Sequence, residues 1–166
     1  MDSRFSASLR YVDLEVDRAR WRSTLNYRIH PKLQIGVEIN PEVDEVGPLV
    51  TWFLTTEDER RPALFLGTSS DRIGSPEGEQ SYFLTAAKRH SRWPVSAYIS
   101  LNYSEWDDDF NFPFGVEFEL SPSFSVRPMY DGQRTHLMIN YHLERHSLSL
   151  LWVWLERFGV AYSVAF

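Results

Sequence analysis

Apolar and polar side chains alternate one for one along most of this chain. Within 21–29, Trp21, Ser23, Leu25, Tyr27 and Ile29 share one parity, while Arg22, Thr24, Asn26 and Arg28 hold the other. Within 33–40, Leu33, Ile35, Val37 and Ile39 oppose Gln34, Gly36, Glu38 and Asn40. The stretch 95–104 sets Val95, Ala97, Ile99, Leu101 and Tyr103 against Ser96, Tyr98, Ser100, Asn102 and Ser104. In 112–120, Phe112, Phe114, Val116, Phe118 and Leu120 oppose Gly115, Glu117 and Glu119. A two-residue period gives a strand two chemically distinct faces, whereas a helix would repeat every ~3.6 residues. The pattern predicts strands near 6–17, 20–29, 33–40, 48–55, 62–69, 81–88, 94–103, 112–120, 123–129, 134–142, 146–155 and 158–166. The runs in 62–69 and 81–88 alternate most weakly.

Turn residues separate these runs: His30-Pro31-Lys32, Ser121-Pro122-Ser123, and Asp131-Gly132 inside 130–133. Consecutive strands joined by short connections make an antiparallel meander. So many strands must curl and close, or leave long edges open to aggregation. The expectation is an all-β, up-and-down barrel of about twelve strands, ten being the smaller alternative, as one domain over 1–166. Numbering connections from the first hairpin, the third (40–48), fifth (70–80) and seventh (104–112) are expected to be the longest. All three lie on one rim.

A closed barrel is soluble if its apolar face points in and membrane-spanning if that face points out. The polar face argues for the second. The chain has few lysines, Lys32 and Lys88, and its polar face carries Ser, Thr, Asn, Gln, Gly and Tyr with charges of both signs. Such charges suit pairing across a confined lumen better than a solvated coat. Trp21, Trp93, Trp106, Trp152 and Trp154 fall near strand ends, as an interfacial girdle requires. Long odd-numbered connections beside short even-numbered ones match a barrel whose two ends share the rim with the short turns.

Composition narrows the remaining classes. There is no Cys, which excludes disulfides, thiolate catalysis and Cys-bound metals. No 18-residue apolar run is present, so no transmembrane helix is expected. The net charge of −6 argues against a nucleic-acid partner. The first ten residues carry no apolar core of an export signal.

The last run, 157–166, has Phe158, Val160, Tyr162, Val164 and Phe166 on one face and Gly159, Ala161, Ser163 and Ala165 on the other. This segment resembles the C-terminal strand of bacterial outer-membrane β-barrel proteins, in which a terminal aromatic strand acts as a signal to the assembly machinery. The resemblance implies residence in the bacterial outer membrane, with lipid bilayer and that machinery as partners. It also implies that this strand closes the barrel against the first one. The expected molecule is a monomer without cofactor, acting as a small pore or membrane scaffold.

Several residues are candidates for chemistry. Arg22, Arg28, Glu38, Glu117, Glu119, Arg127, His136 and His142 are expected to line the lumen, either as a conducting or ligand-binding path or as an ion-paired plug. His142, His146, Ser147 and Glu144 cluster in sequence and would suit a His/Ser/Glu acyl-transfer site of a lipid-modifying enzyme. Against that stands a plain hydrogen-bonded network. The third, fifth and seventh connections concentrate carboxylates against a single basic residue, Arg72. Asp107, Asp108 and Asp109 are the residues there that would hold a divalent cation, although their spacing is not that of a helix–loop–helix calcium site. The remaining alternative is a soluble, lipocalin-like barrel with an apolar ligand inside.

Overall fold

The structure, a computed structural model, describes residues 4–15 and 20–166. Among them every regular element is a strand. These are β1 (Phe5–Val12), β2 (Trp21–His30), β3 (Leu33–Asn40), β4 (Glu45–Thr55), β5 (Ala63–Ser70), β6 (Gln80–Arg89), β7 (Val95–Ser104), β8 (Asp109–Asn111), β9 (Phe114–Ser121), β10 (Phe124–Tyr130), β11 (Thr135–Leu143), β12 (His146–Val153) and β13 (Arg157–Ala165). Every pairing is antiparallel, and β13 returns to β1 with Ser6 opposite Ala165 and Val12 opposite Gly159. The sheet therefore closes on itself. The short β8 is an extra ladder on β7, which also pairs with β9, so the closed ring has twelve strands. The pairing of the last strand with the first is the expected one.

Some boundaries differ from the sequence expectation, for physical reasons. The first strand ends at Val12, and residues 16 and 17 of its expected span lie outside the described residues. The eighth predicted strand, 112–120, starts two residues late, and a short strand that the pattern does not predict precedes it. Asp109–Asn111 pairs with the far end of β7, and the wall resumes at Phe114 after Pro113, whose carbonyl accepts from the Ser100 N–H at 2.8 Å. The third connection shrinks to 41–44, because β4 starts at Glu45 and runs through Gly47 and Pro48. The seventh, between the wall strands β7 and β9, spans 105–113 with β8 inside it. It and the fifth, 71–79, are long as expected, but the fourth, 56–62, exceeds the third. Gly and Pro do not interrupt β4 because Glu38 opposite Gly47, and Val37 opposite Pro48, keep the alternation in phase.

The distribution of side chains is the reverse of a water-soluble core. Along β12, Leu148 and Leu150 are half exposed while Ser149 and Leu151 are buried. Outward positions hold Leu25, Ile35, Leu84, Ile99, Phe118, Ile139 and Val160, all exposed. Inward positions bury Glu38, Asn40, Ser81, Thr85, Asn102, Ser125, His136 and Asn140. Outward aromatic pairs sit towards strand ends: Phe5–Tyr27, Phe5–Phe166 and Phe124–Tyr141 at one end, Tyr11–Trp21 and Trp152–Phe158 at the other.

Two inward glycines let large rings lie across the wall. A Cβ on Gly67 would stand 2.0 Å from the Val50 carbonyl oxygen and 2.8 Å from the Phe83 ring. One on Gly115 would stand 2.6 Å from the Tyr98 ring. The Phe83 and Tyr98 rings come up against these cross-strand partners and line the lumen. An aromatic covering a strand glycine restores packing that the missing side chain would forfeit.

Candidate functional site in the lumen

The barrel has two unlike ends. We call the rim where β1 begins and β13 ends the terminal rim, and the opposite one the distal rim. At the distal rim Val12, Leu14, Leu151 and Val153 are buried together, and Ile73, Met138, Trp154 and Ala161 pack on them. Ile73 comes from the β5–β6 connection, so this cluster carries a distal connection inward against β1 and β12. Polar groups tie neighbouring connections to it. Arg72 donates to both oxygens of Asp107 at 2.6 and 2.8 Å and lies 4.1 Å over the Trp106 ring. Gln133 also reaches Asp107, at 3.1 Å, and Ser104 donates to Asp71 at 2.5 Å. His136 meets Asp131 at 2.6 Å.

Charge states reinforce these ties. The hydrogen bonds from Arg72 outweigh burial and hold the Asp107 carboxyl below the usual aspartate range. Burial pushes Asp131 upward, but hydrogen bonds from His136 and from the backbone N–H groups of Arg134 and Gln133 prevail and lower it. On the terminal rim, Asp58 accepts from the N–H groups of Arg60 and Arg61, both at 2.8 Å, and these bonds lower its carboxyl as well.

Trp106 and Trp154 correct the sequence reading. They do not join an outward girdle, since Arg72 stacks over one and Arg134, 4.7 Å away, over the other, and Trp154 packs on the distal cluster. Trp21, Trp52, Trp93 and Trp152 are the exposed ones. The proposed metal carboxylates do not converge either. Asp107 is taken by Arg72, Asp108 accepts from the Tyr103 hydroxyl at 2.5 Å, and Asp109 turns back to the Phe110 N–H at 2.7 Å. Among the described residues no three His, Asp or Glu side chains could share a metal ion.

Several of the inward charges are paired. Arg22 and Glu38 form an ion pair, and Glu38 also accepts from Ser70 at 2.7 Å. Arg127 pairs with Glu117 at 2.6 Å and Arg89 with Glu119 at 2.7 Å. Arg28 stands exposed near the terminal rim with its guanidinium 5.9 Å from the Phe53 ring centroid. The partner the pattern did not name is Arg10, cross-strand neighbour of Arg22, which lines the same small space as Glu38. Its inward parity after Ser6 and Ser8 is the signal that would have found it.

Towards the terminal rim the lumen opens. A cavity of about 490 Å³ lies between Phe65, Phe83 and Tyr98 on one side and Glu117 and Arg127 on the other. A second, about 430 Å³, is lined by Ser6, Ser8, Thr24, Asn26, His142, Arg145, Ser147 and Ser163. The four residues that cluster in sequence divide here. His142 and Ser147 are cross-strand partners on the inner face, with Nδ1 3.0 Å from Oγ. His146 has the opposite parity and hydrogen-bonds the outward Tyr162 hydroxyl at 2.6 Å. Glu144 occupies the tight β11–β12 turn with φ 49°. The other side of His142 leads to a residue the spacing did not reveal: Ser125, 3.3 Å from Nε2, which donates to Glu117 at 2.6 Å.

Fold and site together define a closed β-barrel with a polar, charge-paired interior. The chain matches no protein-family model and none of the curated protein sequences.

Proposed function

We propose that this protein is a membrane-spanning barrel of the bacterial outer membrane that serves as a scaffold, its polar lumen stoppered at the distal rim. The observation carrying this reading is the reversed distribution of side chains. Large apolar residues at the centres of strands face outward, and ionised and amide groups fill the interior. Burial of apolar area is worth ~25 cal/mol per Å², so a wall of this kind left in water would forgo most of its driving force, whereas hydrocarbon recovers it. Aromatic pairs towards both strand ends support the same reading, since aromatic rings favour the two membrane interfaces. The choice of membrane rests on the resemblance of 157–166 to an outer-membrane closing strand, which would also engage the assembly machinery.

A scaffold is favoured over an open pore by the apolar cluster at Val12, Leu14, Leu151 and Val153 and by the ties of Arg72 and Gln133 to Asp107. The absence of Cys makes the test clean. A single Leu150→Cys or Ser149→Cys variant is labelled with an environment-sensitive dye after insertion into phosphatidylcholine vesicles. The dye at 150 is expected to be quenched by nitroxides on the lipid chains, and the dye at 149 not. Equal quenching at both sites would refute the assignment of faces.

A further inference from the structure

We propose that Ser147 is the nucleophile of a lumenal site that hydrolyses small carboxylic esters, with His142 as its general base and Ser125 and Glu117 as positioning residues. This activity goes beyond the scaffold reading and does not rest on it. The argument is one of proton bookkeeping. Glu117 is ion-paired to Arg127 at 2.6 Å, so it is a carboxylate and can only accept. It accepts from Ser125 Oγ at 2.6 Å, which commits the single Ser125 proton. Ser125 Oγ also accepts from Asn140 Nδ2 at 3.1 Å. The remaining neighbour of Ser125 is His142 Nε2, at 3.3 Å, and that contact needs an N–H on the ring. A neutral imidazole with its proton on Nε2 leaves Nδ1 bare, and Nδ1 is the atom 3.0 Å from Ser147 Oγ. The network thus selects the tautomer that can take a proton from Ser147, which is the nucleophile–base–orienter arrangement that activates a hydroxyl.

The step balances within these groups and water. Ser147 Oγ attacks the ester carbonyl carbon as its proton passes to His142 Nδ1. The carbonyl carbon–alkoxide bond breaks and the alcohol leaves with that proton. Water then attacks the acyl-Ser147 ester and gives its proton to His142. Collapse releases the carboxylic acid and returns the proton to Ser147. Arg145 lines the same cavity and offers a cation for the developing oxyanion. The substrate class follows from the lining. Ser6, Ser8, Thr24, Asn26 and Ser163 offer hydroxyls and an amide, and the apolar part of the lining is confined to Ala7, Val164 and Ala165, so the space suits an acetyl-sized acyl group on a polar, hydroxylated alcohol rather than a long acyl chain.

The experiment uses the full chain folded in detergent, with a fluorophosphonate label and p-nitrophenyl acetate as probes. Intact mass and peptide mapping are expected to show one adduct on Ser147, absent from Ser147→Ala. His142→Ala is expected to slow labelling and hydrolysis by about 10²–10⁴-fold. Ser125→Ala is expected to lower kcat by about tenfold, the worth of one hydrogen bond, with KM unchanged, and Ser125→Thr to restore it. Each variant is first checked for the wild-type far-UV spectrum and thermal midpoint. No adduct on Ser147 in the folded protein, or hydrolysis undiminished in Ser147→Ala, would overturn the proposal. Faster turnover of p-nitrophenyl palmitate than of the acetate would overturn the substrate class.

Discussion

Gly67 and Gly115 occupy inward positions where any side chain would collide, one with a carbonyl oxygen and the other with a ring. A Gly67→Ala replacement must push both the Val50 carbonyl and the Phe83 ring aside. It should cost about 1–3 kcal/mol, read as a fall in the urea midpoint of the detergent-folded protein. An unchanged midpoint would mean that the ring does not lie on the glycine. At the distal rim, Asp107 and Asp131 are held below their ordinary range, so the folded state favours their ionised forms. Their contribution is fully present above the unfolded aspartate value of ~3.9 and is lost as pH falls through the lower folded values. Hydrogen exchange across 71–79 should therefore accelerate below about pH 4, and Asp107→Asn should shrink that acid step. At this scale the sequence was only partly readable. The parity of Arg22, Glu38 and Glu117 announced lumen charges, but their partners depend on register, which joins Glu38 to Ser70 and Glu117 to Ser125. His142 and His146 belong to one candidate cluster in the sequence, yet adjoining strands place one inside and the other against Tyr162.

Among the elements, β4 and the β5–β6 connection carry the most instruction. Pro48 and Gly47 read as a loop in the sequence, but they continue β4 because the pairing with β3 never leaves phase. Turn residues are signals about isolated segments, and a well-registered neighbour overrides them. The connection 71–79 reads as a plain outer loop. Its function in the fold appears only when Ile73 is seen packed on the distal cluster and Arg72 is seen bonded to Asp107. Both partners are remote in sequence, so no local pattern could report them. Arg72→Ala removes a two-bond carboxylate contact and the stacking on Trp106. Cleavage by a Glu-specific protease at Glu77 or Glu79 should rise roughly tenfold, while the wall strands remain intact. A cleavage rate equal to wild type would show that the apolar cluster alone holds the connection.

At the scale of the whole molecule, the two rims differ in charge. The distal connections carry Glu42, Asp44, Glu77, Glu79, Glu105 and Asp108, whereas Lys32, Arg60, Arg61, Lys88, Arg89, Arg92 and Arg145 gather at the terminal rim. Antiparallel connectivity makes this separation readable from the order of the connections alone, as is closure through β13. The proposed stopper is not readable in that way, because it depends on which connections fold inward. The outward wall makes the sharpest claim. Replacing the mid-strand Leu150 by Arg should cost about 2–4 kcal/mol if that residue meets hydrocarbon. The same change at a water-exposed position would be close to neutral, so the urea midpoint of Leu150→Arg in detergent separates the two environments. The most direct test of the central claim is an SDS-gel mobility comparison of protein refolded in detergent, before and after boiling. A membrane-spanning barrel is expected to fold only when detergent or lipid is present and to change mobility on boiling. A monodisperse, β-rich protein in plain buffer, with one mobility before and after heating, would contradict the account.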